Sequence, residues 1–175
     1  MAFTSAWSQL KSRFLKLECW QRYWEAEDNR SQAAYDRGDL DTAGDLLRAE
    51  AEADRPLYQD VRTRGIEYAR VRLLQEPLTP YLKYELLSYR IRVDLGENIE
   101  VVRCNDAAHL PDERHFDFLL FDQTTALIHD YGTAEVGQQT GGWLTRDSEV
   151  ITRLEQTVAD LRQQAVPLHQ YLART

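Results

Sequence analysis

The sequence predicts an α+β fold: a mixed sheet of about four to six strands with a crossover helix, an N-terminal helical region and a C-terminal packing helix. Two observations lead there. Between Ile66 and Tyr131 the apolar period changes from two to about four and back to two, the pattern of strand, helix and strand in succession. The helix in the middle also carries both of its end signals, Thr79 as N-cap with Pro80 behind it, and Gly96 past its last turn. With 175 residues, 43% of them hydrophobic and 10% aromatic, the chain can bury one core and does not require two. Residues 1–175 therefore read as a single domain, with a mostly helical region at 1–65, a sheet-and-helix core at 66–145, and a C-terminal helix and tail at 146–175.

In chain order, Ala6 to Ser12 is expected as a short helix and Phe14-Leu15-Lys16-Leu17 as an extended piece leaning on the core. Trp7, Trp20, Tyr23 and Trp24 surround it, and aromatics at that density anchor a segment that would otherwise fray. Glu25 to Asp41 is polar, with a Gly38-Asp39 break, and reads as a helix end and a mobile loop. Thr42 to Ala53 is built of good helix formers and stops before Pro56, and Asp54 is placed to cap a second helix that ends at Gly65.

Ile66 to Leu74 alternates, with Ala69, Val71 and Leu73 on one face and Tyr68, Arg70 and Arg72 on the other. Leu78, Leu82, Leu86, Tyr89 and Val93 then form an apolar stripe at helical spacing, leaving Tyr81, Lys83, Glu85 and Arg90 on the polar side. A strand at Ile99–Arg103 completes a strand-helix-strand crossover. Phe116 to Phe121, apolar on both faces, is a central strand. Asp122-Gln123 turns it into a partner strand at Thr125–Tyr131. A further extended piece is expected around Glu135 to Thr140, followed by a turn at Gly141-Gly142. Asp147 or Ser148 caps a last helix whose Val150, Ile151, Leu154, Val158 and Leu161 face the core. Pro167 stops any continuation, and the final residues are expected to be loosely docked.

The formal charge of −8 speaks against direct nucleic-acid binding, which needs a concentrated basic surface to neutralise phosphates. No apolar run is long enough to cross a bilayer, and Met1-Ala2-Phe3-Thr4-Ser5 lacks the layout of a signal peptide, so a cytoplasmic protein without membrane association is expected. Cys19 and Cys104 form no C-x-x-C pattern and suit a reducing compartment.

Two arginines on one strand face, with a tyrosine beside them, have the donors to grip a carboxylate or phosphate. Arg70 and Arg72, with Tyr81 and Glu85 four apart on the following helix, are thus the candidate ligand-binding residues. His109, Asp112, Glu113 and His115 share a loop, and His109 and His115 are the alternative metal pair, although no H-E-x-x-H spacing supports them. His129 and Asp130 are the alternative catalytic pair, as base and orienting acid near Arg103 or Asp122. Cys104 with His129 and Asp130 would make a nucleophile set on paper. No signature calls for a cofactor.

The runs Gly65-Ile66-Glu67-Tyr68-Ala69-Arg70-Val71-Arg72, Glu76-Pro77-Leu78-Thr79-Pro80-Tyr81-Leu82-Lys83-Tyr84-Glu85-Leu86, Gly96-Glu97-Asn98-Ile99 and Asp117-Phe118-Leu119-Leu120-Phe121-Asp122, with Phe14-Leu15-Lys16-Leu17-Glu18, resemble an uncharacterised actinobacterial family of short cytoplasmic proteins common in streptomycetes. From Ile99 onward the chain is distantly similar to the sensor-like domain that follows the helix-turn-helix in many streptomycete regulators, although no helix-turn-helix precedes it here. That resemblance implies a regulatory context and supplies no catalytic residues. The expected function is a non-enzymatic regulatory or partner-binding domain recognising a small anionic ligand, a peptide or a regulator protein. The alternative is a small hydrolase or transferase, in specialised metabolism, using His129 and Asp130.

Overall fold

The computed structural model describes residues 2–24, 29–105, 109–132 and 137–174. Among them a single sheet of seven strands runs through the molecule in the order β6-β5-β4-β1-β2-β3-β7. The strands are β1 (Arg13–Glu18), β2 (Glu67–Gln75), β3 (Ile99–Cys104), β4 (Phe118–Phe121), β5 (Thr125–Asp130), β6 (Gly141–Thr145) and β7 (Val166–Pro167). Helices α1 (Ala2–Gln9), α2 (Arg30–Asp36), α3 (Leu40–Glu52), α4 (Arg55–Thr63), α5 (Pro80–Asp94), α6 (Ser148–Arg162) and α7 (Leu168–Leu172) flank it. The sheet is mixed: β1, β2 and β3 are parallel neighbours, and the remaining pairings are antiparallel. The α+β class is as expected, with one strand more than the upper end of the expected range.

The extended piece at residues 14–17 is β1, the middle strand, so the sheet is not confined to 66–145 but draws its centre from the N-terminal region. Its alternation explains the placement. Leu15 and Leu17, with Ala69, Val71 and Leu73 of β2 and Phe118 and Leu120 of β4, face Ile151, Leu154, Val158 and Leu161 of α6. On the opposite face Phe14, Leu119 and Phe121 pack under Ala6 and Leu10, with Val61 of α4. Farther along that face Leu74, Ile99 and Val101 pack under α5, α3 and α7.

The β2-α5-β3 unit forms as the period change predicts. The Thr79 hydroxyl accepts from the Leu82 N–H, Pro80 opens α5, and Arg70↔Ile99 begins the parallel pairing of β2 with β3. The α5 stripe is wider than predicted. Tyr81, Tyr84 and Glu85 are buried along with Leu82, Leu86 and Tyr89, because α5 lies between the sheet and α3 and therefore has two inner faces. Tyr81 and Glu85 are thus inside, not on a solvated side.

Other expectations are corrected. Asp54 sits at the N-cap of α4 without a side-chain capping bond, its carboxylate being paired with Arg92. The polar stretch holds α2, with Asn29 accepting from the Gln32 N–H, while residues 25–28 lie outside the described residues. Gly141-Gly142 is the start of strand β6, not a turn. A Cβ at Gly142 would lie 2.9 Å from the Ile128 carbonyl oxygen, so only glycine lets β6 approach β5 here. Of the extended piece expected at Glu135 to Thr140, residues 135–136 lie outside the described residues, and 137–140 carry no strand. The C-terminus is docked rather than loose, with Leu168 and Tyr171 of α7 buried against α5 and β3. Among the described residues no helix is long and apolar enough to cross a membrane.

Candidate functional site

The parallel pairing of β1 and β2 sets Lys16 opposite Arg70 and Glu18 opposite Arg72. Since strand side chains alternate, all four project from one face. Above them α5 contributes Tyr81, Glu85, Ser88 and Arg92, three or four apart and so on one stripe of the helix. Between these two surfaces lies a cavity of about 360 Å³, which Leu47 and Glu50 of α3 border on the outer side.

The sheet side of the cavity is a lattice of ion pairs. Arg70 donates from Nη1 to both oxygens of Glu18 at 3.0 Å and from Nε to Glu97 at 2.7 Å. Glu18 also accepts from the Tyr89 hydroxyl at 2.6 Å and pairs with Lys16 Nζ at 2.5 Å. Arg72, with no solvent exposure, donates to one Glu85 oxygen from Nη2 at 2.7 Å and from Nε at 3.0 Å. Its Nη1 reaches the carbonyls of Leu73 and Glu18 at 3.0 and 3.3 Å. The Arg70 guanidinium lies 4.9 Å from the centre of the Tyr89 ring and that of Arg72 5.5 Å from the Tyr23 ring, within cation–π range.

Burial alone would raise the Glu18 carboxyl, but Arg70, then Lys16 and Arg72, outweigh it and hold the group well below the usual carboxylate range. Glu85 moves the other way: burial raises it, and the negative charge of Glu18 adds to that against the opposing pull of Arg72. Burial would lower both guanidinium values, yet Glu18 and Glu97 around Arg70, and Glu85 beside Arg72, keep them above their ordinary value and charged. The Tyr89 hydroxyl is pushed up by burial and by the two carboxylates, and so remains a donor.

Of the residues expected to bind a ligand, Arg70, Tyr81 and Glu85 line this cavity and Arg72 lies beneath it. The guanidiniums are engaged by carboxylates of the chain itself. Lys16, Glu18, Tyr89, Arg92 and Glu97 belong to the same assembly, and sequence reasoning does not single them out. A signal for two of them is present, since Lys16 and Glu18 alternate with Leu15 and Leu17. Glu97, which anchors Arg70 from the loop after α5, has no local signature.

The alternative groups are not assembled in the same way. His129 is held below its ordinary value by burial and then by Lys16, and its Nδ1 lies 3.5 Å from the Tyr131 hydroxyl. Asp130, its neighbour on β5, leaves the opposite face of the strand and accepts from the Gly132 N–H at 2.8 Å. Cys104 has Asp112 and Arg72 as its charged neighbours. Arg103 stacks on Tyr171, and Asp122 holds the backbone N–H groups of Lys11, Ser12 and Arg13. His115 pairs with Asp112 at 3.0 Å, while His109 is exposed. Among the described residues no group of three or more His, Cys, Asp or Glu is arranged to hold a metal ion.

A family model described as a domain of unknown function (DUF6879) matches residues 1–173. The chain belongs to that family. Its match takes in β1, β2 and α5 together, and with them every residue of the ion-pair lattice. No curated protein is significantly similar to the chain.

Proposed function

We propose that the protein is a non-enzymatic, cytoplasmic regulatory or partner-binding domain that recognises a small ligand through an anionic group, a carboxylate or phosphate. The observation that supports this is the cavity of about 360 Å³ into which Lys16, Arg70 and Arg92 all face, a volume within the range of small-molecule sites. Lys16 is the anchor best placed for the ligand's acid: its side chain is 25% exposed and it shares its one carboxylate with Arg70. Arg70 and Arg72 act behind it, holding Glu18 and Glu85 so that the tyrosine-lined wall keeps its shape before the ligand arrives. Regulation would follow from population shift, the ligand stabilising the closed arrangement of α3 and α5 and changing what a partner protein meets. The distant similarity read in the sequence from Ile99 onward, to the sensor-like domain of streptomycete regulators, would imply the same context.

The test is a thermal-shift and calorimetric screen of the full chain against carboxylate and phosphate metabolites, repeated with Lys16→Met. A stabilising ligand whose binding is lost in the variant is the expected result. A screen without a single stabilising carboxylate or phosphate would overturn the proposal.

A further inference from the structure

The two edges of the sheet are built differently. Edge strand β7 is only two residues long and contains Pro167, and a short edge with a proline offers little to a further strand. At the other end β6 is Gly141-Gly142-Trp143-Leu144-Thr145, five residues without a charge or a proline. Among the described residues no strand pairs with its outer side. Trp143 is 57% and Leu144 36% exposed, and since neighbours in a strand point to opposite faces, apolar surface is open on both faces of this edge.

The backbone groups left over on β6 can be assigned. His129 donates its N–H to the carbonyl of Asp117, the residue before β4. Alternation along β5 then turns the N–H and C=O of Ile128 toward β6, where Trp143 is its partner. Trp143 is therefore bonded inward, and Gly142 and Leu144 hold their N–H and C=O groups outward.

The sequence of β6 fits a copy of itself in antiparallel pairing. With a two-fold axis at Trp143, Leu144 falls opposite Gly142 of the second copy and Thr145 opposite its Gly141, so each of these side chains meets a glycine. The outward groups of Gly142 and Leu144 meet as a doubly hydrogen-bonded pair, formed twice by symmetry, and the two Trp143 rings stand beside each other as the close, non-hydrogen-bonded pair. Beyond the strand Arg146 faces Thr140 and Asp147 faces Gln139 of the second copy, so no like charges meet across the edge despite the formal charge of −8 on each chain. A two-fold partner matches large to small because both halves of the pattern lie within one strand, which nothing requires of an unrelated peptide.

We infer that β6 is the interface of a homodimer, in which two copies pair edge to edge and antiparallel about Trp143 and join their sheets into one. The edge lies three strands from β1, away from the cavity, so the inference is independent of the binding role proposed above.

Sedimentation velocity of the full chain over a concentration series tests it. An edge pairing of this length lies at the small end of specific interfaces, so a reversible dimer with a Kd of about 10–100 µM is expected. Trp143→Lys sets two like charges across the axis and should weaken the dimer about tenfold or more, whereas Trp143→Phe keeps an aromatic pair and should keep the dimer. Circular dichroism checks that both variants retain the fold. The register is read by oxidation with diamide in a Cys104→Ser background. Trp143→Cys should give a disulfide-linked dimer, because the Cα atoms of such a pair lie within disulfide reach. Thr145→Cys should not, because its counterpart sits four residues farther along the second strand. A chain still monomeric at about 1 mM overturns the inference and hands the edge to an extended segment of another protein. A dimer indifferent to Trp143→Lys, association that runs past the dimer, or crosslinking as ready at position 145 as at 143 overturns it as well.

Discussion

Arg72 and Glu85 meet inside the protein with both the Nε and Nη2 hydrogens on a single carboxylate oxygen, at 3.0 and 2.7 Å. Arg72 has no exposure and Glu85 only a small edge on the cavity, so the pair matters less for the stability it adds than for what is left when half of it is removed. Arg72→Met and Glu85→Leu are each expected to lower unfolding free energy by about 3–5 kcal/mol. The double variant should lose much less than the sum. Urea denaturation of the four proteins in a double-mutant cycle measures the difference.

Acid sensitivity should come in two windows. His129 is held down by burial and by Lys16, so as pH falls below its ordinary value of 6.5 the unfolded chain takes up the proton first and stability declines. Glu18 is held well below 4.5 by Arg70, Lys16 and Arg72 despite its burial. Its contribution is complete above that pH and is lost progressively beneath it. Glu85, raised by burial, has the opposite sign: its contribution is complete below 4.5 and is lost as pH rises through its folded value. Denaturation series from pH 7.5 to 3 should show the upper slope reduced in His129→Gln and the lower slope reduced in Glu18→Gln.

Asp117 is a buried acceptor for three donors. Its Oδ1 takes the Cys19 N–H at 2.7 Å, and its Oδ2 takes the hydroxyls of Tyr23 and Tyr131 at 2.6 and 2.7 Å. Asp117→Ala leaves the Cys19 N–H stranded behind the sheet, at a cost of at least about 1–3 kcal/mol. Asp117→Asn keeps one acceptor oxygen and should lose less. Thermal denaturation ranks the two, and an Ala variant no less stable than the Asn variant would contradict the hub.

Gly137 and Gly38 offer a matched comparison, because both have left-handed backbones, φ +77 and +79. At Gly38 a Cβ would meet nothing within 4 Å, whereas at Gly137 it would lie 2.0 Å from the Arg22 carbonyl oxygen. Gly38→Ala should cost about 1–2 kcal/mol of backbone strain alone. Gly137→Ala must also part the segment from Arg22 and Tyr23, and should therefore show the larger drop in Tm. Equal losses would mean that the close approach carries no energy.

The crossover unit is legible in the chain because its signals are local. Thr79, Pro80 and Gly96 mark the ends of one helix through backbone chemistry that neighbours three or four residues away decide. The alternation of Tyr68, Arg70 and Arg72 against Ala69, Val71 and Leu73 assigns each side chain of β2 to a face without knowledge of any partner strand. Strand β6 escapes such reading because Gly141 and Gly142 signal a turn locally, and only the nearness of the Ile128 carbonyl makes them strand residues. The docking of the tail is equally hidden, since its few apolar residues show no period long enough to announce that Leu168 and Tyr171 close the α5 layer.

By itself the sequence determined which side chains of β2 share a face, where α5 starts and stops, and that arginines, a tyrosine and a glutamate sit on neighbouring elements, but not that Tyr81 and Glu85 look inward. Tertiary structure decided what those charges do. Parallel pairing of β1 with β2 brought Lys16 and Glu18 beside arginines more than fifty residues away, and the loop after α5 brought Glu97 to Arg70. Charge partnership depends on distances of a few ångströms in a medium of low dielectric, and strand register sets such distances. No local pattern in the chain encodes them.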